Sequence, residues 1–147
     1  MKSLLHLVCL TTTLCFSALA TGQSQFALNQ SFAALYEQEL GSTQKCLSSS
    51  ANRYAVCSPA LRGDGNAPFI LFQQPDSPIV VLTHGLSDSP FFVSAIADEL
   101  YDSGYTVIAP LLPGHGLKDA DAAMEDEQLA ERWQAHLAEV VELALQS

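Results

Sequence analysis

Short apolar runs alternate with a helical stripe in the middle of the chain. Residues 69–72, 79–82 and 105–109 are continuous apolar segments rich in β-branched and aromatic side chains, of the length that favours strands. The run at 79–82 has no polar alternation, which is typical of a strand buried on both faces of a sheet. The pattern therefore predicts an α/β fold.

A helix is predicted between the last two of these strands. Ser89 and Pro90 form a typical helix start, with a capping hydroxyl followed by proline at the first helical position. Gly104 provides a left-handed stop. The apolar stripe of this helix contains Val93, Ile96, Ala97 and Leu100. Strand, helix and strand in this order predict a βαβ unit with parallel strands and a right-handed crossover.

The segments before this unit are predicted from similar patterns. Residues 24–40 show helical periodicity and end at Gly41, and residues 41–65 form a loop with a short strand at 54–56. The runs at 69–72 and 79–82 are separated by a turn with two prolines and an aspartate, which predicts an antiparallel hairpin at the edge of the sheet.

The segments after it contain an irregular loop and a helix. Two prolines and two glycines exclude a regular element over residues 110–116. The stripe of the last helix contains Leu129, Trp133, Leu137, Val140 and Ala144. At this spacing Trp133 is interpreted as a core anchor against the sheet.

The first twenty residues have the features of a secretory signal peptide: one early lysine, an apolar core and the closing residues Ala18, Leu19 and Ala20. An exported chain, periplasmic or secreted, is therefore expected, with no stable membrane span after cleavage. Lipid attachment at Cys15 is an alternative, although the small residue expected before the cysteine is missing. The predicted organisation is a signal peptide at 1–20, a helix with a cysteine-stapled loop at 21–65, and an α/β domain at 66–147.

Cleavage leaves two cysteines, Cys46 and Cys57, which in an exported chain predict a disulfide. The alternative is two buried thiols. Cleavage also removes Lys2 from the six basic residues, so five remain against sixteen acidic ones, a net charge of −11. A surface this acidic repels phosphate backbones, which argues against nucleic-acid binding.

Residues 69–147 together resemble the α/β-hydrolase superfamily, in its esterase, monoacylglycerol-lipase and serine-aminopeptidase-like branch. The features that carry the resemblance are the strand ending in Leu82-Thr83-His84-Gly85-Leu86, the helix from Ser89, the strand through Ala109-Pro110, and the loop Pro113-Gly114-His115-Gly116 followed by a tryptophan-containing helix. The resemblance implies the N-terminal half of a hydrolase sheet, with an edge hairpin, a βαβ unit and flanking helices.

The resemblance also implies an activity, the hydrolysis of carboxylic esters by an activated serine, without metal or other cofactor and with a small-molecule or lipid ester as substrate. In this family one oxyanion-hole N–H follows the strand that ends in His-Gly, which places it at Leu86. Gly85 lets the backbone approach the substrate closely. His84 and His115 are expected to support the loops, because the catalytic histidine of the family comes last in the chain.

The nucleophile is missing from these residues. The family's serine lies in Gly-x-Ser-x-Gly on the next strand, and this motif does not occur in the 147 residues. We therefore expect the N-terminal portion of a serine hydrolase that stops before the nucleophile strand and is inactive alone, with an exposed apolar edge at strand 79–82. A non-catalytic secreted binding module, or pseudoenzyme, is the alternative.

Two other site types fit less well. A dinucleotide-binding domain would show Gly-x-Gly-x-x-Gly after its first strand, and residues 84–89 lack it. A metal site formed by His84, His115 and Asp88 would lack a short-spaced pair of ligands, so no metal is predicted.

Overall fold

A five-stranded mixed sheet forms the centre of the fold in a computed structural model that describes residues 24–147. The strands are β1 (Gln44–Lys45), β2 (Arg53–Cys57), β3 (Phe69–Leu71), β4 (Ile79–Val81) and β5 (Thr106–Ala109). Their spatial order is β1-β2-β3-β5-β4, with β4 and β5 parallel and the other neighbours antiparallel. The predicted α/β character is confirmed. The predicted signal peptide at 1–20 lies outside the described residues.

Helices flank this sheet. They are α1 (24–34), α2 (Glu37–Leu40), α3 (Pro90–Asp102), α4 (Ala120–Met124) and α5 (Leu129–Leu145), with a 3₁₀ turn at Asp64–Asn66. The single helix predicted over 24–40 is wrong, because the chain turns at residues 35–36, where buried Tyr36 reaches the backbone of Leu111. Within residues 24–147 no helix combines the length and apolar character needed to cross a bilayer.

The predicted βαβ unit is confirmed as β4, α3 and β5, with Val80 beside Val107 in the parallel register. Ser89 occupies the N-cap of α3 and Pro90 its first position. The Ser89 hydroxyl does not cap the helix, however, because it donates to Asn66 Oδ1 at 2.8 Å. It therefore ties the start of α3 to the 3₁₀ turn.

The predicted hairpin of β3 and β4 is wrong, because β5 lies between these two strands. β3 pairs antiparallel with β5, and residues 72–78 cross the beginning of β5. The crossing is fixed where Gln73 N donates to Thr106 Oγ1 at 3.1 Å and Thr106 N donates to Pro78 O at 3.0 Å. This arrangement gives β5 a neighbour on each side and buries all four of its residues.

β4 lies at one edge of the sheet, as expected for residues 79–82. Its three residues are half-buried, so the prediction of a strand buried on both faces is wrong. Within residues 24–147 β5 is its only strand neighbour, and this leaves the other side of β4 unpaired. Such an edge can pair with further strands.

The core runs from α1 through the sheet to α5, with Phe32, Ile70, Ile108 and Val140 fully buried. The predicted stripe of α3 is partly wrong, because Ile96 is 54% exposed. The Cys46–Cys57 disulfide is confirmed, with its Cα atoms 5.0 Å apart. It joins the end of β1 to the end of β2.

Candidate functional site

The candidate site lies where the loops after β4 and β5 meet. Because these strands are parallel, their carboxyl ends lie at the same edge of the sheet, which is where α/β proteins place their ligands. The predicted site residues lie in the loops that follow these ends: His84, Gly85 and Leu86 after β4, and His115 after β5. The ring centroids of His84 and His115 are 4.8 Å apart, so the fold brings the two predicted histidine loops together.

His84 is buried and its tautomer is determined by its partners. Its Nε2 accepts a hydrogen bond from Leu112 N at 3.1 Å. A backbone N–H can only donate, so Nε2 carries no hydrogen and the proton lies on Nδ1, which donates to Gly85 O at 2.9 Å. Burial lowers the pKa of His84, opposed in part by the hydrogen bond to Gly85. The neutral ring therefore connects the two loops.

His115 connects the same loops from the other side. Its Nε2 lies 2.6 Å from Leu86 O, and its Nδ1 lies 3.1 Å from Pro113 O. Each ring nitrogen thus faces a carbonyl oxygen, so the ring donates to one of them when neutral and to both when protonated. Both histidines contact the backbone, as expected of loop-supporting residues.

Trp133 contributes to this arrangement, although it was predicted to pack against the sheet. Its ring is half-buried and lies 5.4 Å from the His115 ring, and its Nε1 donates to Pro113 O at 2.8 Å. The core-anchor prediction is wrong because Trp133 lies in the first half of α5, beside the loop at 110–116. The indole stabilises that loop.

The orientation of two peptide groups follows from these contacts. Gly85 O accepts from His84 Nδ1 and from Asp88 N, and Leu86 O lies against His115 Nε2. In a planar trans peptide the N–H points opposite to the carbonyl, so the N–H of Leu86 points away from His84 and that of Ser87 away from His115.

These N–H groups have no acceptor in the part of the chain that the structure describes. Within residues 24–147 the backbone N–H groups of Gly85, Leu86 and Ser87 donate no hydrogen bond, and Leu86 is 68% exposed. Fixed, unoccupied backbone donors are suited to hold negative charge. The loop after β4 therefore presents backbone donors of the kind that can bind an anion.

Glycine at position 85 also has a structural role, in addition to the predicted close approach of the backbone to the substrate. A Cβ at this position would lie 2.8 Å from Asp88 Oδ2. The absence of a side chain lets Asp88 fold back and close the turn, in which Asp88 N donates to Gly85 O at 3.1 Å.

The cavity of about 270 Å³ beside Ile79, Thr106 and Leu143 is at the wrong end of the sheet to serve this site. Ile79 and Thr106 begin their strands, whereas the site follows the strand ends. A groove of about 180 Å³ lined by Glu39, Pro113 and His136 does adjoin the loop at 110–116.

The structure also contributes residues that the sequence pattern did not indicate. Tyr36 Oη accepts from Leu111 N at 3.2 Å, and Glu39 Oε1 accepts from Gly114 N at 2.8 Å. Both residues lie far from the loop in sequence and in an ordinary helical pattern, so no local signal identified them.

Metal binding is not supported by the arrangement. Over residues 24–147 there is no cluster of three or more His, Cys, Asp or Glu side chains able to hold a metal ion. Three of the four ring nitrogens of His84 and His115 face backbone carbonyl oxygens and the fourth accepts a backbone N–H.

The chain matches no protein-family model, no curated protein and no solved structure. The functional interpretation therefore depends on the geometry of the two loops and on the motifs in the sequence.

Proposed function

We propose that this chain is the N-terminal portion of an exported serine hydrolase that acts on carboxylic esters, and that Leu86 N–H is one donor of its oxyanion hole. The supporting observation is the direction of that N–H, which belongs to an exposed residue, has no acceptor within residues 24–147 and is oriented by the hydrogen bond from His84 to Gly85 O. A single donor of this kind contributes about 2.7–4 kcal/mol to transition-state stabilisation.

Two further features support this assignment. The βαβ unit β4-α3-β5 has the element order that the resemblance to α/β-hydrolases implies, and the unpaired side of β4 leaves room for the strand that would carry the serine. The Cys46–Cys57 disulfide is consistent with an oxidising compartment and hence with export.

A binding experiment tests the donor assignment. Butylphosphonate, a tetrahedral anion with a short acyl-like chain, is titrated into the ¹⁵N-labelled chain, and backbone amide shifts are followed by NMR. We expect saturable downfield shifts of the Leu86 and Ser87 N–H signals, and none with butylammonium at equal concentration. If the signals of other residues shift while those of the Leu86 and Ser87 amides stay unchanged, the proposal is contradicted.

An activity assay tests the absence of a nucleophile from these residues. With a short-chain chromogenic ester we expect no turnover, because loss of the nucleophile in a serine protease costs on the order of a millionfold in kcat. Turnover that disappears in Ser87→Ala would identify Ser87 as the nucleophile and overturn this account.

The second candidate is a secreted binding module that uses the same free donors without catalysis. It is favoured by the absence of Gly-x-Ser-x-Gly from the 147 residues. Reading the coding DNA beyond the Ser147 codon distinguishes the two: a strand followed by this motif supports the hydrolase, and unrelated sequence after a stop codon supports the module.

A further inference from the structure

We propose that Glu39, in α2, is a positioning residue for the candidate site and acts through a single peptide group on His115 and the Leu86 carbonyl. The link from Glu39 to the Leu86 carbonyl does not depend on which reaction the site performs, whereas its consequence for anion binding rests on the proposed function. Nothing in the sequence pattern around Glu39 distinguishes it from the other polar positions of the first helices.

Both oxygens of the Glu39 carboxylate are engaged. Oε1 accepts from Gly114 N at 2.8 Å, and Oε2 pairs with the Arg132 guanidinium. Arg132 also donates to Asp126 at 2.6 Å, so its own position is fixed from a second side. A half-buried carboxylate with two charge-assisted or backbone partners is held in one orientation.

The peptide between Pro113 and Gly114 is consequently held at both ends. Its N–H donates to Glu39, and its carbonyl accepts from Trp133 Nε1 at 2.8 Å and lies 3.1 Å from His115 Nδ1. Gly114 has φ +81°, and a Cβ there would lie 3.3 Å from Leu129 Cδ1, so a side chain at this position would be both strained and crowded.

The orientation of this peptide is transmitted to the candidate site by His115. The imidazole is a rigid ring, so the position of Pro113 O at Nδ1 and that of Leu86 O at Nε2 are linked. If the peptide rotates, the ring tilts away from Leu86 O and the Leu86–Ser87 peptide loses its anchor. Glu39 therefore controls the direction of the Ser87 N–H, next to the Leu86 donor.

Glu39→Gln tests this mechanism with a side chain of the same shape. The glutamine keeps an acceptor oxygen but loses the charge that pairs with Arg132. The fold is therefore preserved, while the hydrogen bond to the Gly114 N–H weakens. Glu37→Gln is the matched control, because Glu37 is an exposed residue of the same helix and its substitution changes the net charge equally. The folded state of each variant is verified by its amide spectrum.

Three readouts are recorded on the full chain by NMR: hydrogen exchange of the Gly114 N–H, the affinity for butylphosphonate measured at Leu86 and Ser87, and the position of the Ser87 amide signal without phosphonate. For Glu39→Gln we expect about tenfold faster Gly114 exchange, since the equilibrium for a hydrogen bond to a charged acceptor is more favourable than to a neutral one by roughly that factor. Phosphonate binding should weaken by up to about tenfold, because only part of this loss reaches the Ser87 N–H. A displaced Ser87 amide signal in the absence of phosphonate is also expected. Glu37→Gln should match the unmodified chain in all three measurements.

The outcomes separate the two levels of the proposal. Faster Gly114 exchange with unchanged Leu86 and Ser87 signals would make Glu39 a purely structural residue and overturn the positioning role. If butylphosphonate fails to bind the unmodified chain, the proposed function fails, yet a displaced Ser87 amide signal in Glu39→Gln still supports the coupling from Glu39 to the loop.

Discussion

The two loops that follow the parallel strands differ in how their backbone polar groups are satisfied. Residues 110–116, after β5, are irregular and yet buried throughout. Gly85, Leu86 and Ser87, after β4, are exposed and their N–H groups have no acceptor among residues 24–147. The loops lie side by side and are joined by two histidines.

The difference shows how an irregular loop becomes part of a core. Buried backbone groups require partners. In the loop after β5 these come from side chains of distant elements, namely Tyr36, Glu39, His84 and Trp133. In the loop after β4 the carbonyl oxygens of Gly85 and Leu86 are engaged, whereas the N–H groups of Gly85, Leu86 and Ser87 have no acceptor within residues 24–147. One loop thus forms a rigid frame, and the other presents the donors.

Replacing one glycine of each loop with alanine should give the largest difference in stability between the two loops. Gly116 has φ +66°, and a Cβ there would lie 3.1 Å from Asn66 Cβ and 3.2 Å from Leu111 Cδ1. Backbone strain and crowding together should lower the free energy of unfolding of Gly116→Ala by about 4 kcal/mol. In Gly85→Ala the added atom meets only the carboxylate of Asp88, which can turn away by side-chain rotation, and we expect a loss of less than about 1 kcal/mol. Equal losses in urea denaturation would contradict the comparison.

Replacing one leucine of each loop with alanine should give the next largest difference in stability between the two loops. Leu111 is 3% exposed, so Leu111→Ala leaves a cavity and should cost about 3 kcal/mol in thermal or urea unfolding. Leu86→Ala removes a largely exposed side chain and keeps the backbone N–H, with an expected change within about 0.5 kcal/mol. A large loss of stability in Leu86→Ala would show that this side chain packs in the folded chain.

Tyr36→Phe should have a smaller effect that isolates one hydrogen bond of the buried loop. Burial raises the pKa of Tyr36, so the phenol stays protonated, and its oxygen accepts from Leu111 N. Without that oxygen the buried N–H has no acceptor, at a cost of about 1–2 kcal/mol. Hydrogen exchange at Leu111 should accelerate by the corresponding factor. Unchanged exchange at this amide would argue against the bond.

Acidification should have the smallest effect on stability in this series. It weakens the contact that His84 makes between the two loops. Burial lowers the pKa of His84 in the folded chain, so the unfolded chain binds the proton more readily. The stabilisation that neutral His84 provides is present above the ordinary pKa of histidine and is lost as the pH falls through the lowered pKa of the folded chain. The reason is that a protonated Nε2 repels the Leu112 N–H.

Urea denaturation over a series of pH values measures this effect. His136, whose pKa is also lowered by burial, contributes in the same direction. His136→Asn therefore serves as the background in which His84 is examined. If stability in that background does not decline as the pH falls below the ordinary pKa of histidine, His84 is not held neutral in the folded chain.

The local patterns of the chain were sufficient for most of its elements and for the two loops of the candidate site. Strand-length apolar runs and a helical stripe at Val93, Ala97 and Leu100 predicted the unit β4-α3-β5, and the cysteine pair predicted the disulfide. The motifs at His84–Leu86 and Pro113–Gly116 identified the two loops that meet. These features depend on residues close in sequence, where periodicity and turn chemistry act directly.

Long-range contacts decided the rest. Whether β3 pairs with β4 or β5 depends on the path of residues 72–78, and no periodicity encodes it. The roles of Tyr36, Glu39 and Trp133 arise because the buried loop needs hydrogen-bond partners and these residues lie within reach only after folding. The sequence by itself determined most of the segments that form strands, helices and loops. Only the tertiary structure decided where the first helix breaks, which polar groups are satisfied and which N–H groups have no acceptor within residues 24–147.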